Sequence, residues 1–175
     1  MIKAEDLRIG DLVKVNEVGC MVPKGTMCKV VAIDSEKSFE EMNLKGCANL
    51  IEFEVNHCNI SWGVWCKYIS PIPLTPEILE KNGWKKRTEG WYFMMISKYM
   101  YLSVEFGYEN GIRVFLKRTT DGLYVKLNIA NNVHELQHIL WALGKDANLK
   151  YNLNKALKVL ENEGETIFIQ GNNHS

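Results

Sequence analysis

The sequence predicts an α+β protein in which a small β-barrel precedes an α-β4-α unit built on an antiparallel meander sheet. Short apolar runs separated by glycine and asparagine occur throughout residues 1–74. Four strand-like runs fill residues 91–129, and segments with helical spacing flank them. We therefore expect a barrel over residues 1–74, a four-stranded sheet with flanking helices over 75–150, and a C-terminal helix and tail over 151–175.

The first region has four strand-like runs, at residues 12–15, 28–33, 50–55 and 63–69, and a polar stretch over 34–49 predicts a loop. The chain opens with the pattern Leu-x-x-Gly-Asp-x-Val-x-Val, from Leu7 to Val15. This pattern resembles the opening of SH3-like barrels, so the resemblance implies an SH3-like barrel for residues 1–74.

Prolines mark the boundary after this barrel. Pro71, Pro73 and Pro76 each remove a backbone donor and restrict the residue before them. Thr75 is placed to cap a helix that has Pro76 at its first position. We predict that this helix runs over residues 76–82 and ends at Gly83.

The next strands are predicted over residues 91–96, 100–108, 112–118 and 123–129. A two-residue turn at Asp121-Gly122 places Leu116 opposite Leu127 and Val114 opposite Ile129. A three-residue loop with Gly111 left-handed places Val104 opposite Leu116, and this register keeps one face apolar. The residues of the predicted face are Leu102, Val104, Phe106, Ile112, Val114, Leu116, Val125, Leu127 and Ile129.

A helix over residues 132–143 is predicted to cover this face, since Val133, Leu136, Leu140 and Leu143 follow helical spacing. A weaker helix is predicted over residues 153–162, and a last strand over 166–169.

Composition limits the classes of function. Lys plus Arg and Asp plus Glu each number 21, so strong non-specific nucleic-acid binding is disfavoured while a local basic patch stays open. The sequence has no apolar stretch that is long enough to span a bilayer, and acidic residues occupy the start where a secretion signal would be apolar. The five cysteines are simplest as reduced thiols. We expect a cytoplasmic protein that has no membrane partner.

Residues 134–138 read His-Glu-Leu-Gln-His, a match to the H-E-x-x-H motif of zinc proteases. In that chemistry His134 and His138 bind zinc and Glu135 activates a water. The extended metzincin pattern fails at Trp141 and Gly144. The two imidazoles also point roughly 160° from the apolar stripe, which predicts a solvated helix face. We therefore expect no catalytic residue and no cofactor, with a zinc-dependent metallohydrolase as the alternative.

Three blocks of the chain resemble uncharacterised proteins encoded in gut Bacteroidales genomes and their phages or mobile elements. The resemblance implies an origin and an architecture, but no activity. The third block of that pattern, Val-His-x-Leu-Gln, does not require Glu135 or His138, so the zinc motif is incidental under this interpretation. The blocks are Leu7–Asp11, Pro71–Thr75, and Val133–Gln137 with Trp141–Leu143.

The remaining candidate residues indicate a binding surface. A basic run between aromatic residues permits binding of single-stranded nucleic acid, and it consists of Lys85, Lys86 and Arg87. The competing interpretation is a solvated loop that leads into a strand whose aromatics belong to the core. Trp62 is a candidate for a groove on the barrel. We expect a non-enzymatic binding module for a protein or nucleic-acid partner, and the sheet edges are also compatible with a homodimer.

Overall fold

The structure, a computed structural model, describes residues 2–16, 24–34, 50–55, 58–147 and 149. Within these residues the chain is α+β, with two five-stranded antiparallel sheets and two α-helices. The loop predicted over 34–49 lies outside the described residues except for Asp34, which is the last residue of a strand. The helix predicted over 153–162 and the strand predicted over 166–169 lie outside them entirely. No helix in the described part is both long and apolar enough to cross a bilayer.

The first sheet has the strand order β4-β3-β2-β1-β5. The run predicted as one strand over 63–69 is two strands, because a 3₁₀ turn at Cys66–Tyr68 interrupts it. Among the described strands no pairing joins β4 to β5, so this part of the chain is an open sheet rather than a closed barrel. The strands are β1 (Leu12–Val15), β2 (Met27–Asp34), β3 (Leu50–Val55), β4 (Cys58–Trp65) and β5 (Ile69–Pro71).

The second sheet has the order β10-β9-β8-β7-β6 and therefore one strand more than predicted. The additional strand is the Lys85–Thr88 segment, which we expected to be a loop. A turn with Gly90 at φ +70° folds this segment back onto the next strand, where Lys86 pairs with Tyr92. The strands are β6 (Lys85–Thr88), β7 (Trp91–Ser97), β8 (Met100–Glu105), β9 (Arg113–Arg118) and β10 (Tyr124–Ile129).

Two helices flank this sheet. Helix α1 (Pro76–Lys81) begins as predicted, with the Thr75 hydroxyl accepting a hydrogen bond from the Ile78 N–H, and it is followed by Gly83 at φ +80°. Helix α2 (Val133–Ala142) begins after Asn132, and its C-cap is Leu143.

Both predicted hairpin registers are wrong by two residues. Val104 lies opposite Val114, and Leu116 lies opposite Val125. The loops are longer than turn chemistry suggested, but as far as the bulge in β10 a shift of two residues leaves each side chain on the same face. Leu102, Val104 and Val114 are therefore buried as predicted. Beyond that bulge the prediction fails, because Val114 lies opposite Asn128 and Ile129 lies opposite Arg113, on the other face of the sheet.

The predicted apolar face does not extend to Val125. This side chain is 61% exposed, on the edge strand β10. A bulge between Lys126 and Asn128 breaks the alternation of β10 beside it.

The apolar core of the second sheet extends to the first sheet. Leu136 and Leu140 of helix α2 pack against the sheet, as the helical spacing predicted. Leu12 and Met27, from strands β1 and β2, contact the same cluster. The core under helix α2 is therefore shared by side chains from both sheets.

Candidate functional site

The polar face of helix α2 is packed against the N-terminal segment of the chain, and the predicted solvated face is therefore wrong. His134 is only 4% exposed and Gln137 is buried. The helical wheel correctly placed His134 and His138 on the side away from the apolar stripe. The chain before and within β1 covers that side, and helical periodicity alone cannot reveal such a cover.

His138 is hydrogen-bonded to Asp11. The His138 Nε2 atom lies 2.9 Å from both carboxylate oxygens of Asp11. Asp11 is buried and also accepts a hydrogen bond of 2.8 Å from the Arg8 N–H. A buried carboxylate needs such partners, so Asp11 ties the start of β1 to helix α2.

Gln137 makes three hydrogen bonds that bridge separate parts of the chain. Its Oε1 atom accepts from the Leu12 N–H at 3.0 Å, and its Nε2 atom donates to the carbonyls of Gly10 and Ala147 at 3.2 and 3.0 Å. Gly10 also lies against Trp141, because a Cβ atom at Gly10 would stand 3.1 Å from the indole. We call this group of contacts between helix α2 and the N-terminal segment the junction. The three sequence blocks that carry the resemblance meet there, since the Val133 N–H also donates to the Ile72 carbonyl.

Glu135 belongs to the start of the helix. Its carboxylate accepts a hydrogen bond of 2.9 Å from the Asn132 N–H, while the Asn132 side chain accepts from the Glu135 N–H. This reciprocal arrangement is a capping box, which satisfies backbone donors at a helix N-terminus.

His134 and His138 border a cavity of about 450 Å³ between helix α2 and the N-terminal segment. Its other polar lining residues include Glu5, Asp6 and Arg8. The His134 Nδ1 atom is buried and has no hydrogen-bond partner among the described residues. Burial lowers the pKa of His134 below its ordinary value of 6.5, although the nearby Asp11 and Glu135 carboxylates oppose this shift.

The lowered pKa of His134 predicts acid sensitivity of the fold. Below pH 6.5 the unfolded chain binds a proton at His134 more readily than the folded chain, so the free energy of unfolding should fall with acid. His134→Gln should make that fall shallower by up to about 1.4 kcal/mol per pH unit. Urea unfolding of both proteins at several pH values between neutral and mildly acidic measures the two slopes, and parallel curves would contradict the prediction.

Two residues of the zinc-protease motif have protein partners in the structure. The Nε2 atom of His138 is directed at Asp11, and the Glu135 carboxylate is held by the helix start. In the described part of the chain, no three His, Cys, Asp or Glu side chains are grouped as a metal ion would require. The acids downstream of the helix, Glu161, Glu163 and Glu165, lie outside the described residues.

A second candidate site is the face of the second sheet that points away from its core, here called the outer face. Neither α-helix covers it, since α1 and α2 both contribute to the core cluster on the opposite side. Strand pairing aligns its side chains in three rows across the sheet. The rows are Thr88–Trp91–Glu105–Arg113–Ile129, Lys85–Phe93–Ser103–Phe115–Lys126 and Met95–Tyr101–Lys117–Tyr124.

Hydrogen bonds and cation–π contacts fix the centre of the outer face. The Trp91 indole donates to the Ser103 hydroxyl, which donates to the Glu105 carboxylate. Lys117 forms an ion pair with Glu105 and lies 4.5 Å from the Trp91 ring. Burial by itself would raise the pKa of Glu105, but its hydrogen bonds, chiefly that from Lys117, lower it below the usual range.

The predicted partner residues are only partly brought together. Lys85 and Arg87 are exposed at the outer face, and the Arg87 guanidinium lies 4.5 Å from the Trp91 ring. Lys86 lies opposite the buried Tyr92, hence on the other face, and pairs with Glu89 at 2.6 Å. Trp62 lies on strand β4 opposite Phe53, and its side chain is not among those that the structure describes.

The competing interpretation, in which the aromatics of residues 91–93 belong to the core, is right for only one of them. Tyr92 alone of the three is buried, while Trp91 and Phe93 are part of the outer face. The remaining members of this face were not predicted, although the period-two alternation of the strands contains the signal. Those members include Tyr101, Phe115, Lys117, Tyr124 and Lys126.

No protein-family model, curated protein or solved structure matches this chain.

Proposed function

We propose that this chain is a non-enzymatic accessory protein that binds nucleic acid through the outer face of its second sheet. The observation that carries the proposal is the combination of aromatic and basic side chains on one sheet face that neither α-helix covers. Of the aromatic rings Tyr124 is exposed, Trp91, Phe93 and Tyr101 are half-buried, and Phe115 is buried. Aromatic rings stack on bases, and basic side chains neutralise phosphates.

The charge of the outer face favours a nucleic acid over a protein partner. The whole chain is neutral, with 21 basic and 21 acidic residues. The outer face instead has five basic residues and one acidic residue, Glu105, which Lys117 neutralises. The basic residues are Lys85, Arg87, Arg113, Lys117 and Lys126. This local excess of positive charge is what a polyanion requires.

The architecture proposed for residues 1–74 is that of an SH3-like barrel left open between β4 and β5. The strand order β5-β1-β2-β3-β4, with a 3₁₀ turn between β4 and β5 in the chain, supports it. The resemblance to proteins of gut Bacteroidales genomes and their phages or mobile elements supports an accessory protein of that origin. We do not propose a zinc hydrolase as a second candidate. The His138 ring is hydrogen-bonded to Asp11, and the Glu135 carboxylate caps the N-terminus of helix α2.

Charge reversal on the outer face provides the test. The double variant Lys85→Glu, Lys126→Glu changes two exposed side chains at opposite edges of the sheet. We expect the wild-type protein to bind a fluorescein-labelled oligonucleotide of mixed sequence with a Kd of roughly 1–100 μM at low salt. The double variant should bind at least roughly tenfold more weakly. Fluorescence anisotropy measures both values.

The matched control is Lys24→Glu, which reverses an exposed charge beside the first sheet. Its affinity should stay close to that of the wild type, and the thermal unfolding of all three proteins should coincide. Wild-type protein that leaves the anisotropy unchanged at low salt would overturn the proposal in favour of a protein partner. Equal weakening by the control would remove the outer face as the binding site.

A further inference from the structure

We infer that the nucleic acid recognised by the outer face is single-stranded, with an unpaired base stacked on the Tyr124 ring. This inference rests on the proposed function and names its ligand. It follows from the width of the face, from the way its aromatic rings are held, and from the small number of exposed basic residues.

The width of the outer face excludes insertion into a duplex. Its central row runs from Lys85 on β6 to Lys126 on β10 and crosses all five strands. Four inter-strand spacings make this row roughly 19 Å wide. The major groove of B-DNA is about 12 Å wide and admits a helix or a two-stranded ribbon. A sheet of five strands therefore stays outside the groove, where duplex bases present no ring faces.

The rings of the outer face are held in place before any ligand binds. Phe115 packs edge-on against Tyr124 with a centroid distance of 5.6 Å, and Phe93 packs edge-on against Tyr101 at 5.9 Å. Tyr124 is nevertheless 64% exposed. A ring that is both fixed and accessible can stack on a base with little loss of side-chain freedom.

The exposed basic residues are suited to a few phosphates rather than to a long duplex backbone. Lys117 is engaged by Glu105, and Arg113 lies 3.7 Å from the centre of the Tyr108 ring. Lys85, Arg87 and Lys126 are the exposed cations of the outer face. With three phosphates neutralised, the logarithm of the binding constant should fall with the logarithm of the salt concentration with a slope of about −2.

The test compares two substitutions at neighbouring exposed positions. Tyr124→Leu removes the ring but keeps an apolar side chain, and Leu123→Ala trims a side chain that is 60% exposed and belongs to the opposite face by alternation. Anisotropy is measured with an oligonucleotide alone and annealed to its complement. We expect the wild type to prefer the single strand at least roughly tenfold, since duplex bases cannot stack on the protein. Tyr124→Leu should weaken single-strand binding roughly 5- to 100-fold, and Leu123→Ala should not.

A second variant covers the case in which Tyr124→Leu does not fold. Tyr124→Trp keeps a stacking ring, and its fluorescence should be quenched by the single strand to a greater extent than that of the wild type. Equal affinity for duplex and single strand would overturn the inference and leave the proposed function standing. Binding to neither would overturn both. A single-strand preference that Tyr124→Leu leaves unchanged, without added quenching in Tyr124→Trp, would overturn the stacking on Tyr124.

Discussion

Gln137→Leu should lower the free energy of unfolding by roughly 3–5 kcal/mol, which is a large part of the stability of a domain of this size. Leucine fills a similar volume but offers no polar atom. The Leu12 N–H and the carbonyls of Gly10 and Ala147 would lose their partner, at a buried position for Ala147 and at partly buried positions for the other two. Each buried polar group left without a partner costs about 1–3 kcal/mol, and structural relaxation recovers part of that sum. Urea unfolding measures the change.

Hydrogen exchange tests whether that cost arises where we expect it. The amide of Leu12 should exchange much faster in Gln137→Leu, beyond the increase that the lower global stability explains. Ala142→Ser, at an exposed position of the same helix, is the control and should leave Leu12 protected. If Gln137→Leu unfolded at the wild-type urea concentration, these hydrogen bonds would contribute little to stability.

Leu136→Ala should destabilise the protein by about 2–5 kcal/mol through a different contact. Leu136 is fully buried in the cluster between helix α2 and the second sheet, so truncation removes apolar contacts and leaves a cavity. In contrast to Gln137→Leu, it leaves every hydrogen bond of the junction in place. Exchange should therefore accelerate throughout the slowest amides rather than selectively at Leu12.

Ile139→Ala is the matched control for Leu136→Ala, since Ile139 is only partly buried on the same helix. It should cost clearly less, because less apolar surface is removed from the core. Equal losses for the two variants in urea unfolding would contradict the packing of helix α2 described above.

The second sheet was predictable where apolar alternation is strong. Val104 and Val114 were correctly placed in the core because the pleat alternates with a period of two. Strand β6 was missed because the run from Lys85 to Thr88 contains no apolar residue, and its pairing with β7 alone makes it a strand. The hairpin registers were missed because turn preferences describe short loops, whereas the observed loops are longer.

The candidate sites could be predicted only in part, because they are built from contacts between residues that are far apart in the chain. The direction of His134 and His138 followed from helical geometry, but the presence of Asp11 beside His138 is a contact across 127 residues. The buried Gln137 has the same origin. Part of the outer face could have been predicted from the sequence, since the alternation of side chains separates Tyr92 from Trp91 and Phe93. Only the strand order shows that Tyr124 and Lys117 lie on the same surface as these two rings.

The contact between Gly10 and Trp141 couples two positions that are distant in sequence. The backbone of Gly10 has φ +98°, a conformation that other residues rarely adopt, and the indole fills the space where a side chain would begin. A methyl group at position 10 would meet both obstacles together. A smaller residue at position 141 would remove the steric clash but not the unfavourable backbone conformation. It should therefore restore only part of the stability that Gly10→Ala loses.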